Sequence, residues 1–344
     1  MGRARRTALA ALFGVAGVVA VAVSSGGCEE IRHVPGDGGD GGDGGDGGAW
    51  LATFGPSGQL LRAPADGGFT TMSVLGVTVI RGGEGGPLRI DITSSDASVV
   101  SVAGDALIIP EGSTTFMPVP LDSSATGTAQ LTAKFDGGEI TVSVTVLPTV
   151  LISEVAAASP GNVDDELVEL YNPTSLDFSL AGYVLQYHSS NDTGTPYLNV
   201  CTLGSNAHIA PHGYYLIGVN QYARAEDFHS TWMGGAFSGN GGSVRLGAPG
   251  IGTGKVEGLT LDTVGWGQGA NGAWDFEARA VAIPSSTFWG SVERKAKSDS
   301  TELTMGVAGP DHSLGNGVDT EDNSADFITR TIQEPQTSAA GTEP

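Results

Sequence analysis

From Trp50 onward the chain is written in short apolar runs whose period is two, separated by Gly, Asp, Asn and Pro. Ser73–Ile80 is rich in β-branched residues and stops at Gly82-Gly83, and Leu88-Arg89-Ile90-Asp91-Ile92 alternates apolar with polar. Val99–Val102, Leu107–Ile109, Thr115–Val119, Gly127–Ala133 and Ile140–Val146 follow, and Pro148 marks a boundary. Alternation at two turns every second side chain to one face, as a half-buried strand requires. Seven such runs punctuated by turn residues predict an antiparallel sandwich over residues 50–148.

The pattern continues past the boundary. Leu151–Val155, Glu166–Tyr171, Leu180–Tyr187, Tyr214–Val219, Ser243–Leu246, Asp262–Trp266, Ser291–Lys295 and Ala325–Phe327 all read as strands. Asn172-Pro173-Thr174 and Ile209-Ala210-Pro211-His212-Gly213 carry turn chemistry, because Asn tolerates unusual dihedrals and Pro fixes φ. The fold class expected is all-β.

Ahead of Trp50 the pattern changes. Arg3, Arg5 and Arg6 precede an apolar run from Thr7 to Val23, and Ser25-Gly26-Gly27-Cys28 comes next. This order resembles a bacterial lipoprotein signal, with residues 1–27 removed and Cys28 acylated. Two or more acyl chains anchor a protein stably where one is marginal. Residues 28–49 then form an expected tether, in which Asp37, Asp40, Asp43 and Asp46 recur every third position among glycines. That composition buries no core and stays flexible. Calcium solenoids need apolar positions that are missing here, so the run reads as a spacer. Residues 332–344 are expected to be a disordered tail.

Two resemblances sharpen this outline. Ser94-Ser95-Asp96 before Val99, Pro110-Glu111-Gly112-Ser113, and Gly127-Thr128-Ala129 with Leu131-Thr132-Ala133 resemble bacterial immunoglobulin-like modules. Residues 149–331 resemble the lamin tail domain in its bacterial form. The motifs are Ile152–Val155, Val168-Glu169-Leu170-Tyr171-Asn172-Pro173-Thr174, Leu180–Leu185, Ile209–Tyr214, Val264–Gly267, Ser291–Lys295 and Asp319–Asn323 leading to Asp326-Phe327. The resemblance implies two immunoglobulin-like antiparallel β-sandwich domains in tandem, after a signal peptide and a flexible linker. It also implies binding or tethering without enzyme activity. His188–His208 and Gln268–Trp289 depart from a minimal domain as insertions.

Candidate chemistry is sparse. His208 and His212 are four apart but straddle Pro211, which breaks any helix that would aim both at a metal. Gly267-Gln268-Gly269-Ala270-Asn271-Gly272 matches a dinucleotide fingerprint literally, yet no helix follows it. Cys201 reads as a small buried hydrophobe. The acidic C-terminal loop offers oxygen ligands at Asp311, Asn316, Asp319, Glu321, Asp322 and Asn323. Asp319, Glu321 and Asn323, at alternate positions, are the expected calcium ligands, with a solvated turn as the bland alternative. Calcium is the one cofactor suggested. Trp274, beside Asn271-Gly272 and Asp275, is the candidate ligand-binding aromatic.

Charge bears on partners. The 344 residues carry 38 acidic and 16 basic side chains, a formal charge of −22. Residues 149–344 hold 23 acidic against 8 basic. Nucleic acid is therefore not expected as a partner, since phosphate contacts need basic patches. The sequence predicts a lipid-anchored envelope protein, with the outer membrane or cell surface favoured, meeting the membrane through Cys28 and a protein or glycan through its β-domains. The alternatives are a calcium-binding accessory subunit or hydrolase of the cell surface, and a purely structural spacer.

Overall fold

The computed structural model describes residues 29–34, 50–55, 59–62, 69–81, 87–104, 106–110, 117–123, 125–135, 138–158, 165–190, 194–220, 228–233, 237–268, 272–285, 290–336 and 341–343. Residues 1–28, read above as a signal sequence with its cysteine, and the Gly/Asp run lie outside them. Among the described residues no helix is long and apolar enough to cross a membrane. Two compact units divide the chain. The first holds residues up to 145 apart from 60–69 and 123–127, and the second holds those two stretches with 146–344.

The strands up to residue 147 are β1 (Glu29–Val34), β2 (Trp50–Gly55), β3 (Gln59–Arg62), β4 (Phe69–Arg81), β5 (Leu88–Ser94), β6 (Ser101–Val102), β7 (Leu107–Ile109), β8 (Met117–Ser123), β9 (Gly127–Phe135) and β10 (Gly138–Leu147). They form two five-stranded sheets, ordered β1-β2-β4-β8-β6 and β3-β10-β9-β5-β7. The predicted alternation is realised. Ala129, Leu131 and Ala133 of β9 and Ile140, Val142, Val144 and Val146 of β10 are buried. On the outward face Thr128 meets Thr145 at 2.8 Å and Thr132 meets Thr141 at 2.9 Å. One expectation is corrected. Glu29–Val34, assigned to the tether, pairs antiparallel with β2. Its β-branched Ile31 and Val34 suit a strand, and the intervening 35–49 lies outside the described residues.

The second unit contains β11 (Leu151–Ala156), β12 (Leu167–Tyr171), β13 (Phe178–Ser179), β14 (Val184–Ser189), β15 (Leu198–Thr202), β16 (His208–Ile209), β17 (Tyr214–Val219), β18 (Ser230–Trp232), β19 (Gly241–Gly247), β20 (Thr260–Gly267), β21 (Val281–Ala282), β22 (Ser291–Arg294), α1 (Glu302–Met305), α2 (Asn323–Asp326) and β23 (Phe327–Arg330). A six-stranded sheet, β18-β17-β12-β11-β22-β23, and a five-stranded sheet, β15-β14-β19-β20-β21, account for most of it. Ile152, Leu170, Ile217, Val244, Leu246, Val264 and Val292 are fully or almost fully buried. Ala325 and Asp326 close α2 and do not open the last strand, because Asp322 caps the helix by accepting the Ser324 N–H. The predicted strand at Leu180 starts later, at Val184, since Gly182 takes φ of +79° in a turn.

The two turn motifs are each other's partners. Asn172 is fully buried. Its Nδ2 donates to the Leu176 carbonyl at 2.7 Å and the Ala210 carbonyl at 2.9 Å, while its Oδ1 accepts from Thr174 N at 3.0 Å. One amide thus fastens Asn172-Pro173-Thr174 to the turn before β17.

The outer face of the six-stranded sheet carries a row of acids. Glu154 on β11 stands opposite Glu169 on β12 and Glu293 on β22. Like charges directly opposite one another are destabilising, and all three are buried. Arg330 of β23 donates to Glu293 at 2.6 Å and to Glu334. Ser153 donates to Glu169 at 2.7 Å, Ser291 to Glu154, and Asn316 to both Ser153 and Glu293. The chain end covers this face, which corrects the expected disordered tail. Gln336 N donates to Glu169 at 2.5 Å, Gln333 to the Ala158 carbonyl, and Glu343 accepts from Tyr171 and Tyr214. Buried polar groups need partners, and residues 331–336 and 341–343 supply them.

Burial pushes the Glu154 carboxyl up to about 7, and burial with the Glu154 charge pushes Glu293 up to about 8. Glu169 is held well above the carboxylate range by burial and by Glu154. Raised carboxyls bind protons more tightly in the fold than in the unfolded chain. Their stabilising contribution is complete below about pH 4.5 and is lost as pH rises through about 7 to 8. The second unit should therefore melt at a lower temperature at pH 8 than at pH 5, and Glu169→Gln should flatten the dependence. Thermal melts followed by circular dichroism check this, and a melting temperature that rises from pH 5 to 8 contradicts it.

Candidate functional site

The acidic loop before β23 is organised by its own side chains. Asp326, fully buried, accepts from Thr320 N at 2.8 Å and from the Thr320 hydroxyl at 2.6 Å. Asn323, also fully buried, accepts from Gly265 N at 3.0 Å and Glu277 N at 3.2 Å, and donates to the Thr263 carbonyl at 2.9 Å. Its amide is a bracket between the loop, β20 and the segment around Glu277. Glu321 is exposed and sits at φ of +59°.

The predicted trio of Asp319, Glu321 and Asn323 does not assemble as an alternating set. Alternate positions share a face only on extended backbone, and here the chain turns at Glu321 into α2. The structure instead groups Asp319 with Glu277 and Asp326, one carboxylate oxygen of each lying within 4.8 Å of the others. Glu277 was missed because nothing in its local sequence distinguishes it, and it comes from an insertion about forty positions upstream.

Beneath the group lies Arg294, the last residue of β22 and fully buried. Its Nε donates to the Ile152 carbonyl at 3.0 Å, Nη1 to the Val318 carbonyl at 2.7 Å, and Nη2 to Asp262 Oδ2 at 2.7 Å. Nη1 also lies 3.4 Å from Asp319 and 3.9 Å from Asp326. Burial alone would lower the guanidinium, but Asp262, Asp319, Glu277 and Asp326 together hold it above its ordinary value. Asp262 Oδ2 accepts from Ile152 N as well, at 2.6 Å, while Oδ1 is buried with no hydrogen-bond partner.

Trp274 is half-buried in an aromatic stack. His188 lies against its ring at 3.8 Å between centroids and 11° between planes, and Tyr197 meets it edge-on at 5.2 Å. The Lys255 ammonium sits 5.3 Å from the ring centre. Arg245, fully buried, stacks on Tyr197 and holds the covering loop through the carbonyls of Gly252, Gly254 and Lys255. Trp274 thus closes over the five-stranded sheet, and one of its faces is taken by His188. Trp289 lies outside the described residues.

A more open feature lies between the turn 204–208 and β17–β18. It is a cleft of about 360 Å³ lined by Ser205, Asn206, His208, Tyr215, His229 and Ser230 among others. His229 stacks on Tyr215 at 4.7 Å and its Nδ1 accepts from Leu216 N at 3.0 Å. Burial, then His208, holds His229 below the ordinary histidine value. The ring is therefore neutral at pH 7 and carries its proton on Nε2. Tyr215 and Ser230 share a hydroxyl–hydroxyl bond of 2.7 Å. His208 faces Asp177 at 3.5 Å rather than His212. Cys201 is buried and unpaired, as expected.

Residues 143–283 match the model of the Lamin Tail Domain family. That segment is a lamin tail domain. The match takes in the Asn172 turn motif, the cleft and Trp274, while β22, Arg294 and the acidic loop lie beyond the matched residues and complete its sheet. Among solved structures, the chain is similar to a DUF4876 family protein from Bacteroides thetaiotaomicron, at 10% identity and a TM-score of 0.40, covering 75% of this chain and 94% of that one. It is also similar to domains 5–6 of the S-layer protein SbsC, at 14% identity and a TM-score of 0.20, covering 64% and 95%. Both likenesses are distant. No curated protein matches the chain.

The lamin tail domain and the elements that complete it meet at Arg294, which sets a prediction. Arg294→Ala leaves Asp262 buried without a counter-charge and should cost about 3–5 kcal/mol of stability. Arg279→Ala removes an exposed partner of Asp322 and should shift the unfolding midpoint little. Urea unfolding of both variants checks this; equal losses would show that burial of the pair is not what matters.

Proposed function

We propose that the protein is a non-enzymatic binding module of the bacterial cell envelope, anchored through acylated Cys28 and presenting its lamin tail domain to a protein or glycan partner. The observation that carries this reading is the cleft beside β17 and β18. Its volume of about 360 Å³ falls in the range of small-ligand sites, roughly 300–1,000 Å³. Its lining offers the Asn206 amide, the Ser205 and Ser230 hydroxyls and a neutral His229. These groups both donate and accept, which suits hydroxyls and amides and gives little to an anion.

The same geometry speaks against turnover there. The Ser230 hydroxyl is bound to Tyr215, and His229 Nδ1 is occupied by a backbone N–H. A nucleophile needs a base within hydrogen-bond reach, and among the described residues no such pair forms in the cleft. The acidic balance of residues 149–344 supports a partner other than nucleic acid.

Retention of envelope glycans and peptides on the full chain tests the proposal. Removing one neutral hydrogen bond costs about 0.5–1.5 kcal/mol, or roughly two- to tenfold in affinity. Asn206→Ala and His229→Ala should each weaken retention by that factor, whereas Trp274→Ala should lower stability and leave retention by the folded protein unchanged. Retention untouched by both cleft variants would overturn the reading, as would catalytic release of product by the purified chain.

A further inference from the structure

We propose that the cleft beside β17 and β18 takes a neutral sugar ring, laid against the His229 imidazole and held from the facing wall by Ser205 and Asn206. The inference rests on the binding reading above and names the ligand class for that same site.

Both walls are fixed by backbone bonds before any ligand arrives. The turn carrying Ser205 and Asn206 is closed by Ala207 N donating to the Gly204 carbonyl at 3.0 Å. It is clamped at each end: Leu203 N donates to the Tyr183 carbonyl at 2.8 Å, and Leu180 N to the Ala207 carbonyl at 2.8 Å. On the facing wall, His229 N donates to the Leu216 carbonyl at 2.9 Å, and His229 Nδ1 accepts from Leu216 N at 3.0 Å. The imidazole thus stands where a neighbouring strand would offer its carbonyl, and Ser230 follows it into register with Ile217. Walls ordered in advance lower the entropic cost of binding.

The polar groups of the cleft are ones the fold does not spend on itself. Asn172, Asn316 and Asn323 are buried, and each gives its amide to the chain. Ser205 and Asn206 are exposed, and the backbone closes their turn without them. Among the described residues, neither side chain has a hydrogen-bond partner. His229 has committed Nδ1 to Leu216 and one ring face to Tyr215. Its Nε2–H and its other face remain, on a ring that is exposed and lines the cleft.

A flat ring face flanked by an amide, hydroxyls and an N–H selects among ligand classes. A sugar ring offers C–H bonds from its faces, which suit the electron-rich face of an aromatic ring, and a rim of hydroxyls that donate and accept. An anion finds no lysine or arginine in the lining, and Asp177 lies 3.5 Å from His208. A peptide needs an apolar anchor pocket or a strand edge to extend. The apolar side chains of the lining, Ala207 and Tyr215, are both buried, and β18 is three residues long. A neutral carbohydrate matches what is left.

The test titrates the full chain at pH 7.5 with cellobiose, maltose and N,N′-diacetylchitobiose, followed by saturation-transfer difference NMR. At least one should saturate with a Kd of about 1 mM, as expected for a few neutral hydrogen bonds on an open site. Transfer should be strongest to the protons of one sugar face. His229→Ala, which removes both the ring face and Nε2–H, should weaken binding about tenfold, whereas His229→Phe keeps a flat face and should stay within about threefold of the parent. Asn206→Ala, on an exposed turn side chain, should weaken binding about two- to tenfold and serves if the His229 variants do not fold. No saturation by any of the three up to about 20 mM would overturn the sugar site, as would binding undiminished by Asn206→Ala and His229→Ala. Equal losses in His229→Phe and His229→Ala would overturn the stacked placement, and tighter binding of cellobiouronic acid than of cellobiose would overturn the choice of a neutral ligand. Envelope peptides retained through Asn206 and His229, with no sugar bound, would overturn this inference and leave the binding module standing; neither sugar nor envelope component retained would overturn both.

Discussion

Arg294 is the constraint around which the second unit is arranged. A fully buried guanidinium costs several kcal/mol to desolvate, and it is tolerated only when its donors find partners. Here those partners come from separate parts of the chain: Ile152 on β11, Asp262 on β20, and Val318 with Asp319 on the acidic loop. Apolar packing between two sheets is non-directional and would accept several relative slides. A guanidinium bridging β22 to a strand of the facing sheet accepts one. The Asp262 carboxylate adds to this by accepting the Ile152 N–H as well, so the two sheets are joined through a polar contact as well as an apolar one.

The opposite demand arises across the outer face of the six-stranded sheet. Three glutamates in register cannot all be charged beside one another, and Arg330 compensates only part of the row. The fold answers with hydroxyls, an asparagine amide and the returning chain end. The β-bulge between Ile152 and Glu154 is part of that answer, because an extra residue lets two consecutive side chains serve one face. Ser153 and Glu154 both reach the row. The end of the chain is thereby a structural element, held by polar contacts more than by apolar area.

Much of the strand order was legible in the sequence because period-two alternation reports burial directly. Ile90 and Ile92 of β5, and Ile140 to Val146 of β10, sit where the pattern puts them. The Asn172-Pro173-Thr174 and Ile209–Gly213 motifs were legible as turns, though not as partners of each other, since their contact spans nearly forty residues. The candidate site was legible in part. Asp319 and the acidic loop stood out, but Glu277, Asp262 and Arg294 each sit alone in the sequence and meet only through the topology. Asn323 looked like a ligand because its type fits one; its burial and four hydrogen-bonding partners show that an amide can equally be a bracket. Trp274 looked like an exposed aromatic because its neighbours are Gly, Asn and Asp, yet His188 and Tyr197 arrive from a different insertion to stack on it.

The two acidic groups also show why net charge is a poor guide to chemistry. Each surrounds a single buried arginine with an excess of carboxylates, so the formal charge of −22 describes both equally. What separates them is the supply of donors. Around Glu154, Glu169 and Glu293 the lone pairs are met by Ser153, Ser291, Asn316, Arg330 and the Gln336 backbone, and the covering chain leaves protons as the natural counter-charge. Around Asp262 one oxygen has no donor, and Asp319 opens to solvent. A closed row with donors favours protonation, whereas the second group is gathered around the Arg294 guanidinium. The same excess of acid therefore has two physical resolutions within one domain, and local hydrogen bonding decides which applies.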